Sequence, residues 1–307
     1  MQHLVTLFDL TASDIKDILQ LTAELKADRA AGHRPQILAG HTLIQLFEKP
    51  SLRTRISFES AINELGGDGT FMGCAEAGLG GRESLEDVAR VTSSYADFVV
   101  LRTFSHELIE RFATVSSCPV INGLSDGFHP CQALTDVFTI KEVFGTFPDR
   151  RLVYVGDGNN VTRSLAIAAA HLQLPFTICT PPEYQVDAEF LSGLKSRMPS
   201  ADVIVTHDPA AAVRDASVVY TDVWASMGQE KEAETRQQAF ADYQINGALM
   251  SQAPAECRFM HCLPARRGIE VTDEVVDGPQ SVVFEQAENR KHLAKGLFVW
   301  LHRQRSR

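Results

Sequence analysis

Apolar runs of strand length alternate with amphipathic runs of helix length along almost all of this 307-residue chain. Few architectures accept such an alternation. The spacing predicts strands over Leu43–Phe47, Phe98–Leu101, Pro119–Asn122, Leu152–Gly156, Phe176–Thr180, Val203–Thr206, Val218–Asp222, Arg258–His261 and Val282–Phe284. Between most of them it predicts helices over Ser13–Arg29, Arg55–Leu65, Ser84–Tyr95, His106–Val115, Cys131–Phe144, Thr162–Leu172, Asp187–Lys195 and Ala287–Arg303. Strands joined through helices run parallel, with the helices covering the sheet faces, so an α/β class is expected. Caps agree with the pattern: Ser13 is placed to cap the first helix, and Ser84-Leu85-Glu86-Asp87 puts acid in a first turn. The length suggests about two domains. The segment Gly145-Thr146-Phe147-Pro148-Asp149 reads as their boundary, and the final helix is expected to pack back on the first domain. The glycine-rich stretch Gly73–Gly81 has no period and reads as a loop, either a lid or a plain surface connection.

Ser51-Leu52-Arg53-Thr54-Arg55 follows the apolar run Thr42–Phe47 and precedes a helical pattern closed by Gly66-Gly67. A strand, a tight turn and a helix start are expected there. The first turn of a helix has free backbone N–H groups and the positive end of the macrodipole, so it attracts anions. Two guanidinium forks at the same place suit a phosphate. The competing reading is Ser51 as a plain N-cap beside a surface Arg pair.

Other clusters stand at strand ends, where open α/β sheets collect ligands. Arg102 ends one strand. His129-Pro130-Cys131-Gln132 opens a helix, and His129 and Gln132 can face one spot, where the imidazole donates to a carbonyl and the Gln oxygen accepts from an amide; a capping His is the alternative. Gly156-Asp157-Gly158-Asn159-Asn160-Val161 resembles a dinucleotide fingerprint, but Val161 stands at the third glycine and no acid ends the next strand. A nicotinamide cofactor is therefore disfavoured, and Asn160 is read instead as a contact for a small polar substrate. Asp222 can hold a cationic amine, with Ser226-Met227-Gly228 offering a hydroxyl and N–H groups to a carboxylate; Asp222 as an ordinary N-cap competes. Cys262, at the end of another strand, can tune an attacking amine or be a buried small hydrophobe. Arg290 opens the last helix and either reaches the phosphate region or joins an exposed charge pair.

Composition narrows the classes of function. The net charge is −10, which argues against bulk binding to nucleic acid or a membrane surface. The six cysteines form no C-x-x-C pair and no zinc spacing. No signal or transit pattern follows Met1, and no run of about eighteen apolar residues exists. A reduced, cytoplasmic protein is expected.

Five motifs in order, FEKPSLRTR (47–55), HPCQ (129–132), GDGNNV (156–161), DVWASMG (222–228) and HCLPARRG (261–268), together resemble the aspartate/ornithine carbamoyltransferase family. The resemblance spans Phe47 to Arg290 and implies two similar domains, each a parallel sheet flanked by helices, with the active site in the cleft between them. It implies a carbamoyl-phosphate-binding domain over 1–144, with helix 287–307 packed on it, and an ornithine-binding domain over 145–286. Ser51, Leu52, Arg53, Thr54, Arg102, His129, Gln132, Leu263 and Arg290 are thereby assigned to carbamoyl phosphate. Asn160, Asp222, Ser226, Met227, Cys262 and Leu263 are assigned to ornithine, with Arg102, His129, Asp222 and Cys262 closest to the chemistry. The family often has Thr where this chain has Leu52, so a hydroxyl is lost and a backbone N–H is kept. The implied reaction is carbamoyl transfer to the δ-amine of L-ornithine, in a homotrimer, with no metal and no organic cofactor. Transfer to another amine, putrescine or an N-acylated ornithine, is the alternative, and Leu52 also resembles some members acting on acylated ornithine. A non-catalytic small-ligand binding protein on the same fold is a third reading.

Overall fold

The computed structural model describes residues 2–79, 81–225 and 232–305. They form two compact units, one from residues up to Phe138 together with those from Glu288 onward, the other from Thr139 to Ala287.

The first unit contains α1 (Ala12–Ala30), β1 (Thr42–Phe47), α2 (Leu52–Glu64), β2 (Asp68–Gly73), α3 (Leu85–Tyr95), β3 (Phe98–Arg102), α4 (His106–Val115), β4 (Val120–Leu124) and α5 (Pro130–Phe144) as far as Phe138. Its four strands are all parallel, in the order β2-β1-β3-β4. Phe98, Val99, Val100 and Leu101 of β3 are fully buried, as expected for a central strand covered on both faces. The chain leaves β1 to one side for β2 and returns to the other side for β3. That reversal puts a crevice at the carboxyl ends of β1 and β3. Phe47 and Arg102 are register partners there, and the β3–β4 register shifts between Leu101 and Arg102, an irregularity that re-aims a side chain at a strand end.

The second unit contains β5 (Leu152–Val155), α6 (Asn160–Leu172), β6 (Phe176–Cys179), α7 (Ala188–Arg197), β7 (Val203–Thr206), α8 (Pro209–Ala212), β8 (Val218–Thr221), α9 (Ala233–Ala239), α10 (Gly247–Met250), β9 (Arg258–His261) and α11 (Asp273–Val276). Its five strands are parallel in the order β7-β6-β5-β8-β9. The same reversal occurs here, between β5 and β8. Its core gathers Val153, Val155, Val219, Trp224, Phe240 and Phe259. Helix α12 (Val283–Arg305) starts in this unit and continues in the first.

Several local expectations are corrected. β2 was not anticipated, because an edge strand needs few apolar residues and Asp68–Thr70 are exposed. Val282–Phe284 is no strand: Val283 and Phe284 open α12. Helix α1 is capped by Thr11, not Ser13, in a capping box closed by Asp14. By their internal contacts the two compact units divide within α5, and the Gly145–Asp149 segment follows that helix.

Helices α1 and α12 pack closely in the first unit. A glycine inside a 23-residue helix costs helix stability, yet Gly296 occupies the crossing. A Cβ there would stand 2.9 Å from the Thr22 nitrogen and 3.0 Å from the Ile18 carbonyl oxygen. Both obstacles are backbone and cannot rotate away. Gly296→Ala is expected to destabilise the first unit by about 1–3 kcal/mol despite its better helix propensity. A thermal unfolding midpoint equal to or above that of the parent would contradict this packing.

Candidate active site

Ser51 caps α2, its Oγ accepting the Thr54 N–H at 3.2 Å. The N-cap reading of this serine is therefore correct, and it coexists with a cluster around the same helix end. The Ser51 hydroxyl also lies 3.0 Å from Thr54 Oγ1. Arg102, from the end of β3, donates Nη1 to Thr54 Oγ1 at 3.4 Å, and Arg290, from α12, donates Nη2 to the same oxygen at 3.4 Å. Arg290 also donates Nη1 to Gln132 Oε1. Gln132 in turn donates Nε2 to Asp136 Oδ1 at 2.7 Å. Thr54, Arg102, His129, Gln132 and Arg290 are all buried. Two guanidinium groups thus share one hydroxyl acceptor at the positive end of a helix, a field that favours an anion. Lys49 adds to it: it is buried, lies 4.1 Å from the Phe104 ring centroid, and is held below its ordinary pKa by burial and then by the Arg102 charge.

His129 is kept well below the ordinary imidazole range, first by burial and then by the charges of Arg290 and Arg102. It is neutral at physiological pH and offers one ring N–H and one acceptor nitrogen. The remaining residues assigned here are placed less closely. The Leu52 side chain is 68% exposed, so its backbone N–H in the first turn of α2 is what it can offer a ligand. Arg53 is half-buried in the same turn. The exposed charge pair considered for Arg290 is excluded by its burial. The Gln132 oxygen, expected to accept from a ligand amide, accepts from Arg290; its second lone pair is the one left for a ligand.

In the second unit the candidates meet at the ends of β5, β8 and β9. Asp222 is buried after β8. Its Oδ1 accepts the Val223 N–H at 2.8 Å and the Cys262 thiol at 2.9 Å, and its Oδ2 accepts Asn159 Nδ2 at 3.0 Å. Cys262 is half-buried, whereas the other five cysteines are buried; none is in a disulfide. Leu263 follows, with φ of +58°, a left-handed conformation that costs a non-glycine residue about 1–2 kcal/mol and is often retained at functional sites. Asn160 is the first residue of α6. Sequence reasoning chose Asn160 and missed its neighbour Asn159, which caps α6 through Oδ1 and holds Asp222 through Nδ2. Ser226 and Met227 lie outside the described residues.

Asp222, His261 and Cys262 each offer a ligand atom within 4.8 Å of the others. Both His261 nitrogens are engaged, however. Nδ1 accepts the Leu263 N–H at 2.9 Å, which leaves the proton on Nε2, facing Glu270 Oε1 at 3.2 Å. A metal would have to break one of these contacts, the one to Glu270 being buried, so the donor set does not favour one.

Comparison with known proteins agrees with this organisation. Residues 2–142 match the family described as aspartate/ornithine carbamoyltransferase, carbamoyl-P binding domain, and residues 148–301 match its Asp/Orn binding domain. The chain is 45% identical to the ornithine carbamoyltransferase of Wolinella succinogenes, with 100% of both chains covered. It is similar to the ornithine carbamoyltransferase structure from Pyrococcus furiosus, with a TM-score of 0.94 and 44% identity over 97% of this chain and 96% of that one. The anabolic ornithine carbamoyltransferase of Campylobacter jejuni gives a TM-score of 0.92 at 36% identity, covering 99% of this chain and 100% of the other.

The suppressed basicity of His129 has a stability consequence. The unfolded chain binds a proton at this imidazole below pH 6.5, and the folded chain does not until well below that value. Its contribution to stability is therefore complete above pH 6.5 and declines as pH falls, by up to about 1.4 kcal/mol per pH unit. His129→Gln is expected to flatten the acid-side decline of stability below pH 6.5. Parallel pH–stability curves in chemical denaturation for parent and variant would contradict it.

Proposed function

We infer that this chain, which belongs to the aspartate/ornithine carbamoyltransferase family, transfers the carbamoyl group of carbamoyl phosphate to the δ-amine of L-ornithine, giving L-citrulline and phosphate. The observation that carries the reading is the placement of Arg102 and Arg290 on the Thr54 hydroxyl at the N-terminus of α2. A phosphorylated carbonyl donor needs donors for its phosphoryl oxygens and others for its carbonyl oxygen, in a dry setting. This cluster has both kinds, and it is buried.

The N–H groups of the first turn of α2, the Ser51 hydroxyl and the guanidinium groups of Arg53 and Arg102 hold the phosphate. Thr54, Arg102 and neutral His129 donate to the carbonyl oxygen, where negative charge grows as the carbon becomes tetrahedral. Gln132 holds Arg290 in place. On the acceptor side, Asp222 binds the α-ammonium of ornithine, with Asn160, Ser226 and Met227 assigned to the rest of the amino-acid group. Cys262 and the Leu263 carbonyl stand by the δ-amine. The neutral δ-amine attacks the carbonyl carbon and forms a C–N bond. The C–O bond to phosphate then breaks with its electron pair, and the nitrogen loses a proton, which the released phosphate can accept. The residues need supply only orientation, hydrogen bonds and charge.

A homotrimer acting in the cytoplasm, in arginine biosynthesis, completes this reading. The likeness to the anabolic Campylobacter jejuni enzyme supports the pathway, and no helix among the described residues is long and apolar enough to cross a membrane. Light scattering should give three times the chain mass; a monomer in solution would refute the assembly.

Two substitutions test the assignments. Each charged contact to a phosphate is worth about 1.5–3 kcal/mol, so Arg102→Ala should weaken carbamoyl phosphate binding roughly tenfold or more. Calorimetry that finds the same affinity in parent and variant removes Arg102 from the phosphate site. Putrescine lacks the α-carboxylate and N-acetylornithine lacks the α-ammonium charge. Sites built for a polar group reject analogues that lack it, by roughly 10³-fold or more here. Asp222→Asn should narrow this preference chiefly by losing ornithine turnover; competition assays in which either analogue matches ornithine in the parent would favour the other-amine reading.

A further inference from the structure

Arg236, on α9, was given no role by the sequence, yet it is buried and heavily engaged. Its Nη1 stands 3.0 Å from Asp157 Oδ2 and donates to the Trp224 carbonyl at 2.9 Å. Its Nε stands 3.0 Å from Glu232 Oε2, and its guanidinium carbon lies 4.8 Å from the Tyr184 ring centroid. Asp157 occupies the turn between β5 and α6. Its backbone carbonyl accepts the Asn159 N–H at 2.8 Å and the Thr162 hydroxyl at 2.9 Å. Asn159 caps α6 and donates its side-chain amide to Asp222. One short path therefore runs from Arg236 through the Asp157 turn and Asn159 to the carboxylate assigned to the ornithine ammonium.

Two carboxylates, Asp157 and Asp222, flank this turn, and both are buried. Burial pushes Asp157 up to about 6 and the charge of Asp222 adds to the rise, while Arg236, and more weakly Arg163, oppose it. With Arg236 removed, Asp157 would be either a poorly compensated buried anion or a neutral acid. In both cases the turn that presents Asn159 loses its clamp. The tight fit of the turn makes this consequential: a Cβ on Gly158 would lie within 2.8 Å of the Tyr184 carbonyl oxygen, so the turn rests directly on backbone.

We propose that Arg236 is a positioning residue for the amino-acid substrate, which through its ion pair with Asp157 sets the turn from which Asn159 orients Asp222. This rests on the assignment of Asp222 to ornithine, and the two are separable by experiment.

The test uses the full-length protein and the variants Arg236→Gln, Arg236→Lys, Asp157→Asn and the Arg236→Gln/Asp157→Asn double variant. Ornithine KM is expected to rise tenfold or more in Arg236→Gln and in Asp157→Asn. The double variant should be no worse than the more impaired single one, and Arg236→Lys should recover part of the loss. Carbamoyl phosphate affinity, read by calorimetry, should stay within twofold. The second readout needs no turnover: the rate of alkylation of Cys262, whose thiol donates to Asp222, should change at least threefold in Arg236→Gln. An ornithine KM within twofold of the parent, multiplicative single effects, a parallel loss of carbamoyl phosphate affinity, or an unchanged Cys262 alkylation rate would each overturn the proposal. A parent that alkylates as expected but makes no citrulline would instead remove the proposed function and leave the Arg236–Asp157–Asn159 path standing.

Discussion

Parallel strands deliver their carboxyl ends to the same edge of a sheet, and the chemistry of this protein depends on that constraint. In the first unit the end of β1 leads to Ser51 and the end of β3 is Arg102, and the two strands are direct neighbours in register. In the second, the turn after β5, the residue after β8 and the residue after β9 carry Asp157 with Asn159, Asp222 and Cys262. Each group stands where its sheet reverses its winding. Residues far apart along the chain are brought within hydrogen-bonding distance by these strand ends and by the helices packed on the sheets, α12 among them.

The two sites have opposite electrostatic character. In the first, two guanidinium groups and a helix N-terminus surround a threonine hydroxyl, and burial, reinforced by the charges of Arg290 and Arg102, keeps the nearby imidazole neutral. Such a place suits a phosphorylated donor, and a neutral imidazole can donate a hydrogen bond there without adding to the cationic crowding. In the second, a buried carboxylate is held at both oxygens by an amide, a backbone N–H and a thiol. Its orientation is fixed in advance, which would lower the entropic cost of binding a cation there, as the proposed role requires. The protein as a whole carries a charge of −10, so attraction for an anionic donor comes from the local cluster and not from the overall field.

What the sequence made legible follows from range. Ser51 capping a helix, Pro130 opening another and Arg102 ending a strand are local events, encoded within a few residues of each other. The parallel α/β class was legible for the same reason: strand and helix periods are read in short windows. The edge strand β2 was hidden because one exposed strand needs little apolar sequence. Asn159 was passed over for Asn160 because a one-residue choice at a helix start depends on cap geometry, and a cap is settled by dihedral angles that composition does not reveal. The ion pair of Arg236 with Asp157 joins residues from different elements, and a lone Arg on a short helix gives no signal of its partner. Asp222 and Cys262 were each legible as single candidates at strand ends, but the thiol-to-carboxylate contact between them was not.

The claim that these groups serve one transfer reaction is tested most directly by following the bond it makes. Purified protein would be given carbamoyl phosphate labelled with ¹³C at the carbonyl and ornithine labelled with ¹⁵N at the δ-nitrogen, and the mixture would be observed by NMR. The account predicts a single carbamoylated product with a one-bond ¹³C–¹⁵N coupling at the δ-position, appearing in step with inorganic phosphate. Phosphate release with the label left in bicarbonate, or a ¹³C carbonyl attached to the α-nitrogen, would contradict it.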